Sequence, residues 1–310
     1  MSPLHPHSPD SHDIATLWWW MLLAAGIVFL GAVALLLIGW FRRGEPGLPF
    51  FGESERANLG LVITFGMGIP IVVLVALFIV SDLYVLGKTD APTSNSTGLT
   101  VTVVGHQWWW EARYPAGGAV TANEIHIPAR TPVNLLARTA DVIHSFWVPE
   151  LNRKIDMIPG QTNRIELYAE EAGTYRGQCA EFCGLQHAHM AFRVIAEPRP
   201  EFERWLSASE RPARAPDGAE ASEGRRVFME NACAGCHTIA GTPAQGTVGP
   251  DLTHLASRQT LAALTVPNDR RELGRWIRNP QEIKPGAKMP GLELSNAQFH
   301  AIVTYLAGLR

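Results

Sequence analysis

Two stretches of this chain hold residue types and spacings suited to redox chemistry. The first runs Cys179-Ala-Glu-Phe-Cys183-Gly-Leu-Gln-His187-Ala-His189-Met190. It packs two thiols, imidazoles and a thioether into twelve residues. Thiolate and thioether are soft ligands that select copper, and imidazole suits the same metal. A further histidine, His144, stands upstream in Val-Ile-His-Ser-Phe-Trp, on a strand or at a strand end. Two other readings stay open on these residues alone: a Cys179–Cys183 disulfide, or zinc held with the histidines. Met190 weighs toward copper, because zinc gains little from a thioether.

The second stretch is Cys233-Ala-Gly-Cys236-His237. This C-x-x-C-H pattern reads as covalent attachment of haem c, with a chance match or zinc as the alternatives. Two cysteines add to the haem vinyl groups, and the adjacent His237 is held under the iron. The second axial ligand should come from far downstream, on a loop crossing the other face. Met289, in Lys288-Met289-Pro290, fits that role, and a thioether raises the potential of the iron. His254 is the rival. Met229 lies too close to the attachment site to reach the far face.

The elements that must position these groups follow from patterning. Two runs without a charged residue, Leu17 to Trp40 and Leu61 to Val80, are long enough to span a membrane. The first is too long for a signal-peptide core and lacks a basic flank before it. The loop between the runs carries Arg42, Arg43 and Arg56, which places it in the cytoplasm and both termini outside. These runs account for much of the 46% hydrophobic content, and the net charge of −3 argues against a nucleic-acid partner.

After the hairpin, residues 88–98 read as a linker. From Leu99 to about Glu197 the chain shows short strands. They include Leu99–Val103, Glu124–Ile127, Pro132–Arg138, Arg164–Tyr168 and Phe192–Ala196, separated by turn residues such as Pro115, Gly117, Gly118, Pro159, Gly160 and Gly173. That spacing predicts a β-sandwich or barrel. Residues 198–221, with Pro198, Pro200, Pro212 and Pro216, read as a tether with one or two helical turns near Phe202–Leu206. From Ser222 the pattern becomes helical. Arg271–Arg278 is a helix stopped by Asn279-Pro280, and Ser295 with Gln298 forms a capping box ahead of Phe299, Ile302, Val303 and Leu306. The expected architecture is a multidomain membrane protein. It has an outward tail (1–16), a two-helix transmembrane hairpin (17–88), a β-sandwich (98–197), a linker (198–221) and a small all-α unit (222–310).

With the two helices, most of residues 15–206 resembles subunit II of haem–copper cytochrome c oxidases. The resemblance rests on Gly105-His-Gln-Trp108-Trp-Trp110, Ile143-His144-Ser145-Phe-Trp-Val-Pro149, Lys154-Ile-Asp156-Met-Ile-Pro-Gly160 and Gly177 through Met190. It implies a cupredoxin-like sandwich holding a binuclear copper centre, CuA. On that pattern Cys179 and Cys183 bridge the two coppers, and His144 and His187 each bind one. Met190 and the backbone carbonyl of Glu181 are weak axial ligands, and the Glu181 side chain helps bind magnesium against the catalytic subunit. His189 is not a ligand in this pattern. Of Trp108, Trp109 and Trp110, at least one is an ordinary core aromatic, and the resemblance makes Trp108 the point where electrons reach the coppers. One departure stands out. The start of the second helix, Leu59 to Phe65, has no acid where the family often carries a glutamate at the mouth of a proton path; Glu53 and Glu55 lie upstream.

Residues 222–310 resemble a class I cytochrome c, on the attachment motif and on Gly249-Pro250-Asp251-Leu252. In this resemblance Gly224 and Phe228 pack on the last helix near Tyr305. The order of the two resemblances matches caa-type oxidases, whose subunit II ends in a fused cytochrome c. The implied function is electron transfer from haem c to CuA and on to subunit I, where oxygen is reduced and protons are pumped. The implied partners are subunit I, other oxidase subunits, the membrane, and cytochrome c or another respiratory donor. The implied location is the bacterial inner membrane, with both redox domains on the periplasmic side. The electron-accepting subunit of a copper-containing nitric oxide reductase is the alternative. A metal-free quinol-oxidase subunit would have a degenerate site, which His144, Cys179, Cys183, His187 and Met190 argue against. A copper chaperone would have no use for an attached haem.

Overall fold

The structure is a computed structural model that describes residues 2–42, 54–87, 98–114 and 118–310. Arg43, Glu53, most of the 88–98 linker, Pro115 and Gly117 lie outside these residues. The chain divides into two compact units, Pro9–Thr89 and Met1–Ser8 together with Asp90–Arg310.

The first unit holds the two apolar runs as helices. Helix α1 covers Pro9–Phe41. A second helical run begins at α2, Glu55–Ile63, where the Ser54 side chain accepts a bond from the Ala57 N–H. A π turn over Thr64–Gly68 separates it from α3, Ile69–Val80, and a second π turn covers Ser81–Leu86. Pro70 accounts for the first π turn: it has no N–H and its ring clashes with the carbonyl four residues back, so the backbone widens there. Both helical runs are long and apolar enough to cross a membrane. Their large side chains, Phe29, Leu36, Val72 and Phe78 among them, are exposed. That arrangement suits a lipid surround and would be unfavourable in water.

The second unit starts with a β-sandwich. One sheet orders its strands β3-β2-β1-β5-β8, from β1 (Thr100–His106), β2 (Trp109–Tyr114), β3 (Ala119–Ala122), β5 (Val133–Thr139) and β8 (Asn163–Leu167). The other orders β4-β10-β9-β6-β7, from β4 (Glu124–Pro128), β6 (His144–Trp147), β7 (Ile155–Met157), β9 (Gly173–Cys179) and β10 (Ala191–Glu197). Alternation along the strands drives the packing, as in β1, where Val101 and Val103 are buried and their neighbours are not. Trp110, Phe146 and Phe192 fill the space between the sheets with tilted and edge-on ring contacts.

The stretch expected as a tether is more structured than its composition suggests. Helix α4, Arg199–Ser209, lies against the sandwich. Phe202 is buried, and Trp205 stacks on His126 at 3.9 Å and meets Tyr114 edge-on. Prolines at the start of a helix are tolerated because the first N–H groups have no partner within it, so Pro198 and Pro200 open α4 rather than prevent it.

The remaining chain is helical, with α5 (Gly218–Glu230), α6 (Cys233–Cys236), α7 (Arg270–Arg278), α8 (Pro280–Ile283) and α9 (Asn296–Leu306). Helix α9 carries the capping box of Ser295 and Gln298. Its contact with α5 is made at Gly224, where a Cβ would lie 2.0 Å from the Ala301 carbonyl oxygen. Phe228 meets Tyr305 edge-on beside this crossing.

Candidate metal centre and haem cleft

The strands bring the scattered soft ligands together at one end of the sandwich. Strand β6 begins at His144, and β9 ends at Cys179. The two strands pair antiparallel with Phe146 opposite Cys179, which lays the His144 ring beside that sulfur. The chain then turns through Cys183 and a 3₁₀ turn at His187–His189 to reach Met190, just before β10.

The resulting cluster is compact. Cys179 Sγ lies 3.8 Å from Cys183 Sγ, 3.9 Å from His144 Nδ1 and 3.2 Å from the Glu181 carbonyl oxygen. Cys183 Sγ lies 3.7 Å from both His187 Nδ1 and Met190 Sδ. His144, Cys179, Cys183 and Met190 are buried. Both cysteines are free, and their separation is well beyond the ~2.05 Å of a disulfide. Two thiolates at ~2.3 Å from one tetrahedral ion would be ~3.8 Å apart, so the observed spacing suits a pair of sulfurs sharing metal. The ligand atoms of His144, Cys179 and Cys183 all lie within 4.8 Å of one another.

Electrostatics prepares these groups for metal. The hydrogen bond with Cys183 holds the Cys179 thiol far below its ordinary range, and the same pairing raises Cys183. One sulfur is therefore readily a thiolate, the form that ligates. His144 Nε2 lies 2.9 Å from Asp141 Oδ1. In the neutral tautomer that keeps its proton on Nε2, the Nδ1 lone pair would face the sulfurs and be free for a metal. Burial opposes charge on His144, but the bonds to Cys179 and Asp141 outweigh it and raise its pKa. Burial likewise opposes ionised Asp141, yet bonds from His144 and from the Gln107 and Val142 N–H groups hold its carboxyl below the usual range. His189 turns elsewhere, with Nδ1 2.8 Å from Gln186 Oε1.

Trp108 sits against this cluster, buried, with its Nε1–H donating to the Cys183 carbonyl at 2.9 Å. The Gln107 amide donates to the same carbonyl at 2.9 Å. Trp110 lies in the core between the sheets, and Trp109 stacks on His106 at 4.1 Å.

The helical part encloses a cleft lined by Cys233, Cys236, His237 and Met289, with Phe228, Leu252, Trp276, Ile277 and Ile302 among its apolar walls. The helical turn α6 sets the two thiols on one face. His237 Nδ1 lies 2.8 Å from the Pro250 carbonyl oxygen. The carbonyl accepts from Nδ1–H, so Nε2 keeps its lone pair, as an axial ligand requires. Burial lowers the His237 pKa and keeps the ring neutral. Met289 reaches the cleft from the loop after α8. His254 does not line it and instead meets the Arg211 carbonyl at 3.0 Å. A thiol pair, a neutral imidazole and a thioether around an apolar slot fit a covalently held haem.

The cleft is also bordered by the sandwich. Gln107, Trp108, Trp109 and Asn123 line it together with the helical residues. Asp141 and Lys284 are site neighbours that motif reading did not reveal, and Gln107 stood in a quoted motif without an assigned role. Asp141 stands three residues before His144, a spacing with no distinctive pattern of its own.

Known protein families match the chain in two successive segments. The family model described as cytochrome c oxidase subunit II, periplasmic domain, matches residues 118–197, and the cytochrome c model matches residues 221–310. Cytochrome c oxidase subunit 2 of Alkalihalophilus pseudofirmus is 36% identical over 94% of this chain and 84% of its own length. The subunit 2 of Bacillus subtilis is 31% identical over 87% and 80% respectively. Among solved structures, the periplasmic domain of subunit II of cytochrome oxidase from Bradyrhizobium japonicum is 30% identical. It covers 37% of this chain and 96% of that one, with a TM-score of 0.36. The two family segments follow one another in the order of the copper cluster and the haem cleft, and the whole-length relatives carry the same name, so the chain belongs to the cytochrome c oxidase subunit 2 family and ends in a cytochrome c domain.

Proposed function

We propose that this chain is the electron-accepting subunit of a caa-type cytochrome c oxidase, anchored in a bacterial inner membrane with both redox domains on the periplasmic side. Cys233 and Cys236 would hold haem c covalently, with His237 and Met289 as axial ligands. His144, Cys179, Cys183, His187, Met190 and the Glu181 carbonyl would hold the CuA pair, and the Glu181 side chain would serve magnesium at the subunit I interface. When bound, the haem and copper pair supply one-electron redox chemistry, delivering electrons from a cytochrome c or similar donor toward subunit I, which reduces oxygen to water and pumps protons.

The single observation that carries this reading is the position of Trp108. Trp108 borders the cleft that contains Cys233, Cys236 and Met289, and its indole N–H bonds the carbonyl of Cys183. One residue thus borders the haem slot and bonds a copper-ligand residue. Around it, buried side chains exclude water and the Asp141–His144 pair fixes a ring, which limits motion of the ligands when charge changes. The α4 helix shortens the connection to residues 210–217, and Arg211 and Ala213 within it bond to the cytochrome domain. Either way, fusion keeps donor and acceptor at an effective concentration of roughly millimolar or above.

Low-temperature electron paramagnetic resonance on the full chain, matured with haem and copper in detergent, tests the reading. We expect an unpaired electron shared over two coppers beside a low-spin haem signal. A single-copper or copper-silent spectrum from folded, haem-loaded protein would refute it. Reconstitution with subunit I and assay with oxygen against nitric oxide then separates the oxidase from the reductase alternative.

A further inference from the structure

Lys284 is a cytochrome-domain residue whose buried side chain reaches into the copper domain. It is 3% exposed, although lysine is almost never buried unless paired. Its Nζ donates to the Trp108 carbonyl at 2.7 Å, to the His189 carbonyl at 2.8 Å and to the Ala262 carbonyl at 3.2 Å. Burial lowers its pKa to about 7; in the protonated form the three N–H donors match these three carbonyls. Two acceptors belong to the sandwich and one to the cytochrome domain.

The two sandwich carbonyls are not ordinary surface groups. Trp108 is the residue between the haem slot and Cys183. His189 precedes Met190, whose sulfur faces Cys183 at 3.7 Å. On its own side, Lys284 follows α8 and stands five residues before Met289, on the same loop. The third acceptor opens a run in the left-handed region, Ala262, Ala263 and Leu264, with φ of 53°, 58° and 64°. Side chains with a Cβ hold this conformation only where surroundings impose it. The Lys284 bond is one such constraint.

Other contacts also cross between the two domains: Lys288 Nζ meets Asp141 Oδ2 at 3.4 Å, and Arg193 donates to Gln259 Oε1 at 2.6 Å. Buried Glu124 of the sandwich accepts from the Gln259 and Thr260 N–H groups at 2.9 and 3.2 Å. Gln186 donates to the Pro285 carbonyl at 2.6 Å. A buried charge contributes little net affinity after desolvation, so the lysine acts on geometry: its protons are all satisfied in one relative placement of the domains.

We propose that Lys284 is a positioning residue that pins the cytochrome domain onto the copper domain, holding haem cleft, Trp108 and copper-ligand loop in one fixed arrangement rather than letting the cytochrome swing on its tether. The electron-transfer part of this proposal rests on the route described above; the docking part does not.

The test uses the full chain loaded with haem and copper, as wild type and as Lys284→Met. Hydrogen exchange should show the Gln259 and Thr260 amides at least tenfold faster in the variant, with amides of the β1–β5 pairing and of α9 unchanged. After flash reduction of the haem, transfer to copper should slow at least tenfold, with haem and copper spectra unaltered. Unchanged exchange overturns the pin, whatever the rate does. Faster exchange with an unchanged rate overturns its part in positioning for electron transfer. If wild type itself shows no haem-to-copper transfer, the route fails while faster exchange still supports docking. Should the variant not fold, lysine acetylation of wild type decides: Lys284 should react at least tenfold more slowly than exposed Lys154, and equal reactivity overturns the proposal.

Discussion

Gly249→Ala probes how the cytochrome domain holds its histidine. The backbone of Gly249 is not in the left-handed region, so alanine meets no conformational penalty there. The added Cβ would instead lie 2.4 Å from His237 Cε1 and 2.8 Å from Nδ1, against 3.4–4 Å for ordinary contact. Backbone retreat is blocked, because the Gly249 N–H bonds the Cys236 carbonyl at 2.7 Å. The ring must therefore move by about 1 Å, a displacement that close packing opposes. Such overpacking typically costs ~1–3 kcal/mol, and loss of the Nδ1–Pro250 bond would add ~1 kcal/mol. In haem-loaded protein we expect weakened axial ligation, seen as a mixed- or high-spin absorption spectrum, and a loss of stability of roughly 2–4 kcal/mol from these contributions. Gly235→Ala is the control: nothing lies within 4 Å of its Cβ. A Gly249→Ala protein with a wild-type spectrum and stability within ~0.5 kcal/mol of the control would refute the steric argument, since that is the ordinary scatter of neutral substitutions.

Cys179→Ser should abolish the shared-valence copper signal, and Met190→Leu should retain both coppers with a shifted potential; an unchanged potential would remove the axial role of Met190. Phe202→Ala empties a buried site under α4 and should destabilise the copper domain by about 3 kcal/mol, measured by denaturant unfolding; a loss below ~1 kcal/mol would mean α4 only rests on the sandwich. Glu111 is buried, which alone would raise its pKa, but the nearby His106 ring, 3.6 Å away, and the bond from Arg113 hold it below the usual carboxylate range. A depressed folded pKa stabilises the protein above the unfolded value of ~4.3, and that stabilisation fades as pH falls through the folded value. Wild type should therefore exceed Glu111→Gln in stability by a constant margin at neutral pH, and acid titration should shrink the margin below pH ~4.3; a margin independent of pH would contradict the pairing.

Much of the site was legible because its parts are local. Cys179, Cys183, His187 and Met190 lie within one loop, and C-x-x-C-H places two thiols and a histidine on consecutive turns. The strands with clear alternation, such as β1 and β10, were readable for the same reason. Strand β9 was not, since Gly173-Thr-Tyr-Arg-Gly-Gln-Cys179 has little apolar periodicity and takes its extended form from pairing with β10 and β6. Helix α4 was underestimated because its prolines signal a break, while its stability comes from burying Phe202 and Trp205 against the sandwich.

By itself, then, the sequence determined what is encoded in short-range spacing: two apolar helices, the ligand loop, the haem attachment turn and the capped final helix. Only the tertiary structure decided which distant groups meet. The β6–β9 register carries His144 to a sulfur 35 positions away, and Asp141 acquires its role because that register aims the ring. Lys284 reads as a surface lysine until the domains pack and three backbone carbonyls converge on it. Backbone acceptors leave no side-chain signature, and their convergence depends on how whole sheets and loops fold together.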